Sequence, residues 1–563
     1  MSTTVPEHPA RCVLLSDFNV SNLAGYLRRD PAFSSWVIDE TDFGQVITLL
    51  LDATHDVWQY PTNLAIIWSR PEAIIQSFSR VLDGHSAPID QLLSEVDAFA
   101  GMIAALATRV RSVMVPTWTI DTMSRGLGIL DLRPGGHAYA LSRMNQRLAD
   151  QLAKKSNVFM LDASRWLSIA GVAGVSPRYW YLSKSPFGLP VFARAAKEIR
   201  TLIDAVEGRA KKLLILDLDD TLWGGIVGET GWAGLRLGGH DAVGEAFKDF
   251  QRALKALQCR GVILAIVSKN DEAVALEAID KHPEMLLRRE DFAGWRINWR
   301  DKAQNIFELV QELNLGLDAA VFIDDSPAER GRVSEALPQI LVPDWPAESM
   351  EYRRALEALS CFDSLSISDE DISRTNSYVA QRKSAADRSS VTLDEWVKSL
   401  DLTVKVAELS ASNVHRVAQL LNKTNQMNLT TRRLTEQELI AWTTDKRNQL
   451  WALSVKDRYA DHGLTAIVSV QSSRDECRIL DFVLSCRVFG RNIEAAMLEL
   501  AREEAQRCAA PRLSAEYFKT EKNAPTLEFL ENRSGGRRPS PLSTTFYWAP
   551  NEGLGWPAHI QRV

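Results

Sequence analysis

The run Leu213-Leu214-Ile215-Leu216-Asp217-Leu218-Asp219-Asp220-Thr221 delivers two carboxylates, two residues apart, from four aliphatic residues into a turn. A continuous aliphatic stretch suits a central parallel strand covered on both faces, and ligands of such sheets collect at the carboxyl ends of the strands. Alternate strand residues project to the same side, so Asp217 and Asp219 can converge on one metal ion. The chemistry this suits is phosphoryl transfer. A strand that simply ends in an Asp-rich turn is the plainer alternative.

Three further segments supply what that strand lacks. A second aliphatic strand, Val262 to Val267, ends in Ser268-Lys269-Asn270-Asp271 and sets a hydroxyl where a phosphate oxygen can bind. Lys302 opens a helix and offers a point charge for a phosphoryl group. A third strand, Ala319 to Ile323, ends in Asp324-Asp325, which can complete an oxygen-rich magnesium site. In this order the four segments resemble the motifs of the haloacid dehalogenase (HAD) superfamily. The resemblance implies that Asp217 attacks phosphorus while Asp219 protonates the leaving group and then activates water. It also implies Mg²⁺ held by Asp217, Asp324 and the backbone carbonyl of Asp219. Ser268 and Lys302, with Thr221 and Asn270, are expected at the phosphate, and Asp325 is expected to position the metal or Lys302. The intervals from Thr221 to Ser268 and from Ser268 to Lys302 have room for a flap and connecting helices but not for an inserted cap domain, so the site should be open.

The wording around these motifs is more specific. Asp217 to Gly225, Ser268-Lys269-Asn270-Asp271, Ile297-Asn298-Trp299 and Phe322 to Pro327 are similar to the FkbH-like family, as are Asn422 to Thr430, Lys456-Asp457-Arg458 and Ser485 to Arg491. That resemblance implies a glyceryl transferase/phosphatase. Such an enzyme dephosphorylates D-1,3-bisphosphoglycerate, a phosphorylated three-carbon acid, and loads glyceryl onto the thiol of a holo acyl carrier protein for polyketide-type biosynthesis. A plain Mg²⁺-dependent phosphatase with a docking C-terminal domain, and a non-catalytic docking subunit, are the alternatives.

The C-terminal part can be read independently. Strand Ile479 to Leu484 runs into Arg487-x-x-Gly490-x-Asn492 and then a helix, the layout by which acetyltransferase-like (GNAT-like) folds bind pyrophosphate at a helix amino terminus. Asn492 stands where Gly or Ala is usual, which counts against ordinary CoA but leaves room for the pantetheine arm of a carrier protein. Cys486, beside Arg487 and a helix start, is a candidate acyl-accepting thiolate or a small core residue. His462 is either its base or a core histidine. Arg458 and Arg491 are candidates for binding phosphate, because guanidinium forks match its oxygens.

Around these segments the chain is an ordinary folded one. Its 563 residues are 45% hydrophobic and 24% charged, which suggests three or four domains. We expect four segments: 1–205, an SGNH-like α/β domain; 211–346, a capless HAD-like doubly wound parallel sheet; 347–395, a helical connector; and 396–563, a GNAT-like α+β domain. In the first, Ser16-Asp17 after the first strand is the one tempting nucleophile position, but no Gly-Asp-Ser block or late Asp-x-x-His pair accompanies it. Scaffolding or docking is the reading preferred there. A net charge of −7 argues against nucleic acid, and no window has the length of a membrane span. Met1 to Arg11 lacks the apolar core of a secretory signal, and six scattered cysteines without a CxxC pair point to a reducing cytoplasm. Carrier proteins are acidic, so docking would use a basic patch such as Arg432-Arg433 or Arg533, Arg537 and Arg538.

Overall fold

The computed structural model describes residues 9–121, 123–372, 374–375, 378–379, 400–424, 427–458, 460–520, 523–540, 543–551, 553 and 555–563, without the side chains of 369, 370 and 486. The chain is a multidomain α/β protein in two compact units, Met1–Ile203 and Asp204–Val563.

The first unit is a five-stranded parallel sheet of β1 (Ala10–Ser16), β2 (Trp36–Glu40), β3 (Leu64–Trp68), β4 (Ser112–Pro116) and β5 (Val158–Leu161), in the order β2-β1-β3-β4-β5. Four of these strands coincide with the apolar runs Cys12 to Ser16, Asn63 to Trp68, Ser112 to Val115 and Val158 to Leu161, which read as strands in the sequence. β2 does not stand out because its burial alternates and it lies at the edge of the sheet. Helix Ile89–Leu106 spans the residues that its periodicity predicts, burying Leu92, Val96, Phe99 and Ile103 against the sheet.

The second unit contains two sheets. The first has β6 (Leu213–Leu216), β7 (Ile263–Ser268), β8 (Phe292–Ile297) and β9 (Ala320–Ile323), all parallel, in the order β8-β7-β6-β9. β6, β7 and β9 are buried throughout, as their unbroken aliphatic runs require. One face packs on helix Ala242–Cys259 through Phe247, Phe250, Leu254 and Leu257, and the other on helix Lys302–Glu312 through Ile306, Leu309 and Val310. The chain runs outward from β6 through β7 to β8 and then returns to β9 on the other side. The topological switch point therefore lies between β6 and β9, where an open α/β sheet binds its ligand.

Part of the expected connector belongs to this core. Tyr352, Leu356 and Phe362 are buried in it, with the Tyr352 ring 5.7 Å from Phe250 and 5.3 Å from Trp345. The polar surface of residues 347–362 masks this in the sequence, because the anchoring residues are few and widely spaced. Residues 380–399 of the expected connector lie outside the described residues.

The other sheet is formed by β10 (Leu402–Glu408), β11 (Met427–Asn428), β12 (Asn448–Lys456), β13 (Asp461–Ser472), β14 (Cys477–Leu484), β15 (Leu513–Tyr517), β16 (Gly536–Pro539), β17 (Thr544–Trp548) and β18 (Ile560–Arg562). Its order is β16-β17-β15-β14-β13-β12-β10-β18, with β11 added to β14. β14 and β15 are parallel, in register only from Cys477–Leu513 to Ile479–Ala515. Helix Ile493–Arg507 packs Ala496, Met497 and Leu500 against this sheet. No described helix is long and apolar enough to cross a membrane.

Tyr352 tests the assignment of residues 347–362 to the phosphatase-like core. Tyr352→Ala should cost about 3–5 kcal/mol, as truncation of a buried aromatic does. The cost of Tyr352→Phe should be about 1 kcal/mol, since only the hydroxyl bond to the Asp220 carbonyl, 3.2 Å long, is lost. Urea denaturation followed by tryptophan fluorescence measures both, and a change of only about 0.5 kcal/mol for the alanine variant would make the segment a surface linker.

Candidate active sites

Three of the four strand ends in the parallel sheet of the second unit, those of β7, β8 and β9, feed a helix whose first turn is capped by a side chain. Asp271 caps helix Glu272–Lys281, Asp301 caps helix Lys302–Glu312, and Ser326 caps helix Pro327–Ala336 with a proline at its first position. The Asp301 cap, a bond to the Gln304 amide, makes Lys302 the first residue of its helix.

At the switch point Lys302 Nζ lies 3.0 Å from Asp217 Oδ2 and 2.6 Å from Asp324 Oδ2. All three side chains are buried. Burial works against the ammonium, yet Asp217 and Asp324 outweigh it and raise the Lys302 pKa. Burial, then the neighbouring Asp217, raises Asp324 to about 6. Asp325 is raised by the same two effects. The carboxylates of Asp217, Asp324 and Asp325 offer ligand atoms within 4.8 Å of one another, and Asp217 Oδ1 is buried with no hydrogen-bond partner. One lysine among three carboxylates leaves a charge deficit and an orphaned hard oxygen. That donor set fits Mg²⁺.

Asp219 stands apart from this cluster. Its Oδ1 accepts from the Trp223 indole at 2.9 Å and the Val227 amide at 3.0 Å, and its Oδ2 accepts from Asn270 Nδ2 at 2.7 Å. Its side chain is therefore held off the metal position, and only its backbone remains for the expected metal role. Burial raises its pKa, with a smaller contribution from Asp217, which favours the protonated form a general acid needs.

Two expected phosphate ligands have other partners. Asn270 orients Asp219. The Thr221 hydroxyl, fully buried, accepts from the Asp325 amide at 3.0 Å and reaches Asp325 Oδ1 at 3.3 Å. Both are polar residues next to carboxylates, and the nearest charge claims them. Ser268 sits buried at the end of β7, the neighbour of β6 in the sheet.

Sequence reasoning assigned no role to three other residues. Trp223 holds Asp219, a role hidden inside the Asp217 to Gly225 stretch. Arg330 donates to the carbonyls of Asp324 and Asp325, both at 2.7 Å, from a helix surface with no motif to mark it. Asp220 takes a positive φ of 51° and accepts the Gly225 amide at 2.7 Å, turning the chain into a flap where Gly224 and Arg236 exchange backbone bonds. No cap domain follows; the two intervals hold that flap, helices Ala242–Cys259 and Glu272–Lys281, and β8.

In the C-terminal sheet the backbone turn Cys486–Val488 joins β14 to the loop of Gly490, whose φ is 72°, and Asn492, whose φ is 59°. The side chain of Cys486 lies outside the described residues. Arg491 is turned inward onto a buried carboxylate. Its Nε bonds Asp457 Oδ2 at 3.1 Å and its Nη1 bonds the Arg487 carbonyl at 2.8 Å, all buried. Arg487 is also buried and bonds the Ser485 hydroxyl at 3.2 Å, whereas Arg458 is exposed. A guanidinium beside a buried carboxylate pairs with it rather than remain open for phosphate, which corrects the expectation for Arg491.

His462 is 1% exposed, with Nε2 3.0 Å from Asp457 Oδ2 and Nδ1 unpartnered. Burial opposes ionisation of Asp457, but the His462 bond and Arg491 lower its pKa to about 2. Asp457 thus fixes the ring through Nε2 and leaves Nδ1 as the nitrogen not engaged by it.

The gap that opens between β14 and β15 past Ile479 is filled by the chain itself. β11 pairs Met427 with Leu484 and Asn428 with Val483, the Phe518 amide donates to the Leu429 carbonyl at 3.3 Å, and Asn523 Nδ2 donates to the Asn428 carbonyl at 3.1 Å. The expected basic docking patch is also partly used up. Arg432 pairs with buried Asp481 and stacks 5.1 Å from the Trp442 ring, while Arg433 donates to the Leu421 carbonyl at 2.7 Å. Arg537 and Arg538 lie on the exposed edge strand β16. In the first unit Ser16 is buried and its hydroxyl accepts the Phe18 amide, while Asp17 accepts from the Arg70 amide and Nε. This is a structural use of the one tempting nucleophile position.

No family model matches the chain, and no curated protein matches it. Among solved structures it is similar to the N-terminal part of the protein BF1531 from Bacteroides fragilis, which contains a phosphatase domain and is complexed with Mg. The identity is 28% and the TM-score 0.58, over 65% of this chain and 96% of that one. The ribosomal-protein-S18-alanine N-acetyltransferase from Escherichia coli matches at 13% identity and a TM-score of 0.20, over 26% of this chain and 90% of that one. The GNAT domain of S. lividans PAT matches at 13% and 0.21, over 26% and 89%. Likeness at that level carries no weight for function.

Two measurements check these sites. Lys302→Met should destabilise the Mg²⁺-free protein by about 3–5 kcal/mol, because it leaves buried carboxylates uncompensated. Millimolar Mg²⁺ should recover part of that loss in a thermal melt, by mass action on the folded state. Asp457→Asn should lower the melting temperature at pH 6. Because the folded-state pKa of Asp457 is depressed, its stabilisation is complete above the ordinary carboxylate pKa and lost as pH falls through about 2. The gap between variant and wild type should therefore begin to narrow below about pH 4 and close near pH 2; a gap constant from pH 6 to pH 2 would rule out this ionisation.

Proposed function

We propose that the chain is a bifunctional glyceryl transferase/phosphatase. It removes phosphate at the Asp217 site and transfers the three-carbon acyl group of D-1,3-bisphosphoglycerate to the thiol of a holo acyl carrier protein in polyketide-type biosynthesis. The carrying observation is the pairing of Lys302 with Asp217 and Asp324, with a separately held Asp219, at the sheet's switch point. The likeness to a Mg-complexed phosphatase domain supports the same reading.

In this reading Asp217 attacks phosphorus as the bond to the leaving oxygen breaks, and Asp219 gives that oxygen its proton. Asp219 then takes a proton from water, which attacks the aspartyl-phosphate and releases phosphate and free Asp217. Trp223, Val227 and Asn270 fix the carboxyl of Asp219 for both steps. Lys302 and Ser268 hold phosphoryl oxygens. Mg²⁺ bound among Asp217, Asp324 and Asp325 supplies charge neutralisation for the transferring group. An uncapped site suits a substrate borne on a protein, and Trp299, 75% exposed in the loop before Lys302, gives such a protein an apolar contact.

For the acyl half, the Cys486 thiolate attacks the acyl carbon, phosphate departs with the electron pair of the broken C–O bond, and the carrier thiolate then displaces Cys486. His462 Nδ1, backed by Asp457, is the base proposed for thiol deprotonation. One observation favours the plain phosphatase instead: β11 fills the gap between β14 and β15, leaving the C-terminal sheet to dock a target only.

The two readings separate when the chain, Mg²⁺, D-1,3-bisphosphoglycerate and a holo carrier protein are incubated and the carrier is weighed. A glyceryl increment that is absent with Asp217→Asn is the expected result. Phosphate release with an unaltered carrier would establish the plain phosphatase, and an unmodified Cys486 during active transfer would remove the relay.

A further inference from the structure

A cavity of about 690 Å³ lies within the second unit, at the opposite end of the parallel sheet from Asp217. Its walls include Lys212, Ile263 and Ala319, which stand at the amino-terminal starts of β6, β7 and β9, and Ser485 and Arg487 from the turn that follows β14. The four residues of β6 separate Lys212 from Asp217, and the five steps between them put the cavity and the carboxylate cluster roughly 16 Å apart at about 3.3 Å per residue.

Its lining is strongly cationic. Lys212, Arg374, Arg416, Lys423 and Arg487 contribute, against Asp318 and Asp371, while Arg209 in the same wall is already paired with Asp204 and Glu207. Asp371 is already committed, to Lys423 at 3.0 Å and to Arg374. Lys423 is three-quarters buried and burial lowers its pKa despite Asp371, so a further negative charge beside it would be stabilising. Arg374, Arg416 and Arg487 reach this one cavity from three separate segments, and guanidinium groups are the side chains whose donors match phosphate oxygens. The volume falls within the range of small-molecule sites, about 300–1,000 Å³, and exceeds what a lone phosphate needs.

We propose that this cavity is a second phosphomonoester site, which anchors a phosphate while the rest of its carrier extends toward the Ser485–Arg487 turn. The inference rests on the proposed function for its direction of use, since that turn carries Cys486. Two sources share the chemistry: the distal phosphate of the three-carbon acid, and the phosphate ester at the root of a carrier's pantetheine arm. In either case acyl handling and dephosphorylation occur at opposite ends of one sheet, and the group must travel between them.

The test is calorimetric titration of the full chain with Mg²⁺ removed by EDTA, using 3-phosphoglycerate, 4′-phosphopantetheine, glycerate and pantetheine. One equivalent of a phosphorylated probe should bind, equally well to Asp217→Asn, with the unphosphorylated probes at least tenfold weaker. Preference for 3-phosphoglycerate assigns the site to the small acid, and preference for 4′-phosphopantetheine assigns it to the carrier arm. Arg374→Gln combined with Arg416→Gln, its folding checked by circular dichroism, should weaken binding at least tenfold. In the wild-type chain the bound probe should also protect Arg374 and Arg416 from phenylglyoxal, read by mass spectrometry. Failure of both phosphorylated probes to bind, loss of binding in Asp217→Asn, or absence of that protection overturns the proposal. None of these readouts requires glyceryl transfer, so the site can fail while transfer stands, or stand while transfer fails.

Discussion

One buried ammonium among carboxylates organises the parallel sheet of the second unit. Lys302 bridges Asp217 on the strand that opens the sheet and Asp324 on the strand that closes it, and all three are removed from water. Burying such charges is costly unless they are paired and hydrogen-bonded, so the surroundings are built to satisfy them. The Asp301 cap aims the lysine, the Ser326 amide takes the other oxygen of Asp324, and Thr221 ties Asp325 back to the first strand. What remains unsatisfied, Asp217 Oδ1 and the surplus negative charge, is what a divalent cation and a phosphoryl group would complete.

The same electrostatic logic separates the two acidic residues of the opening motif. Asp217 and Asp219 lie two residues apart, yet one joins the ion cluster and the other is enclosed by an indole, an amide and an asparagine. Different surroundings give two like side chains different tasks, one paired with an ammonium and one with its pKa raised by burial so that it tends to carry a proton. The C-terminal sheet solves a similar problem with Asp457, which gathers His462 and Arg491 in a place without solvent.

Much of the architecture is legible from local pattern. The buried strands of the parallel sheets and helices Ile89–Leu106, Ala242–Cys259 and Lys302–Glu312 lie where hydrophobic runs and periodicity put them. Edge strand β2, the two-residue β11 and the anchoring of Tyr352 are not legible, because each depends on a distant partner more than on its own pattern.

By itself the sequence determined the acidic strand, its companions at Ser268, Lys302 and Asp324, their order, and the absence of a cap between them. These follow from residue type and spacing along one chain, which strand alternation and helix capping convert directly into positions. Only the tertiary structure decided which polar groups each of these residues faces. It turned Asn270 toward Asp219, Thr221 toward Asp325 and Arg491 toward Asp457, and it drew Lys212, Arg374, Lys423 and Arg487 around one cavity. A buried polar group takes the nearest partner that satisfies it. That choice is made by packing between segments far apart in the chain, which no local spacing records.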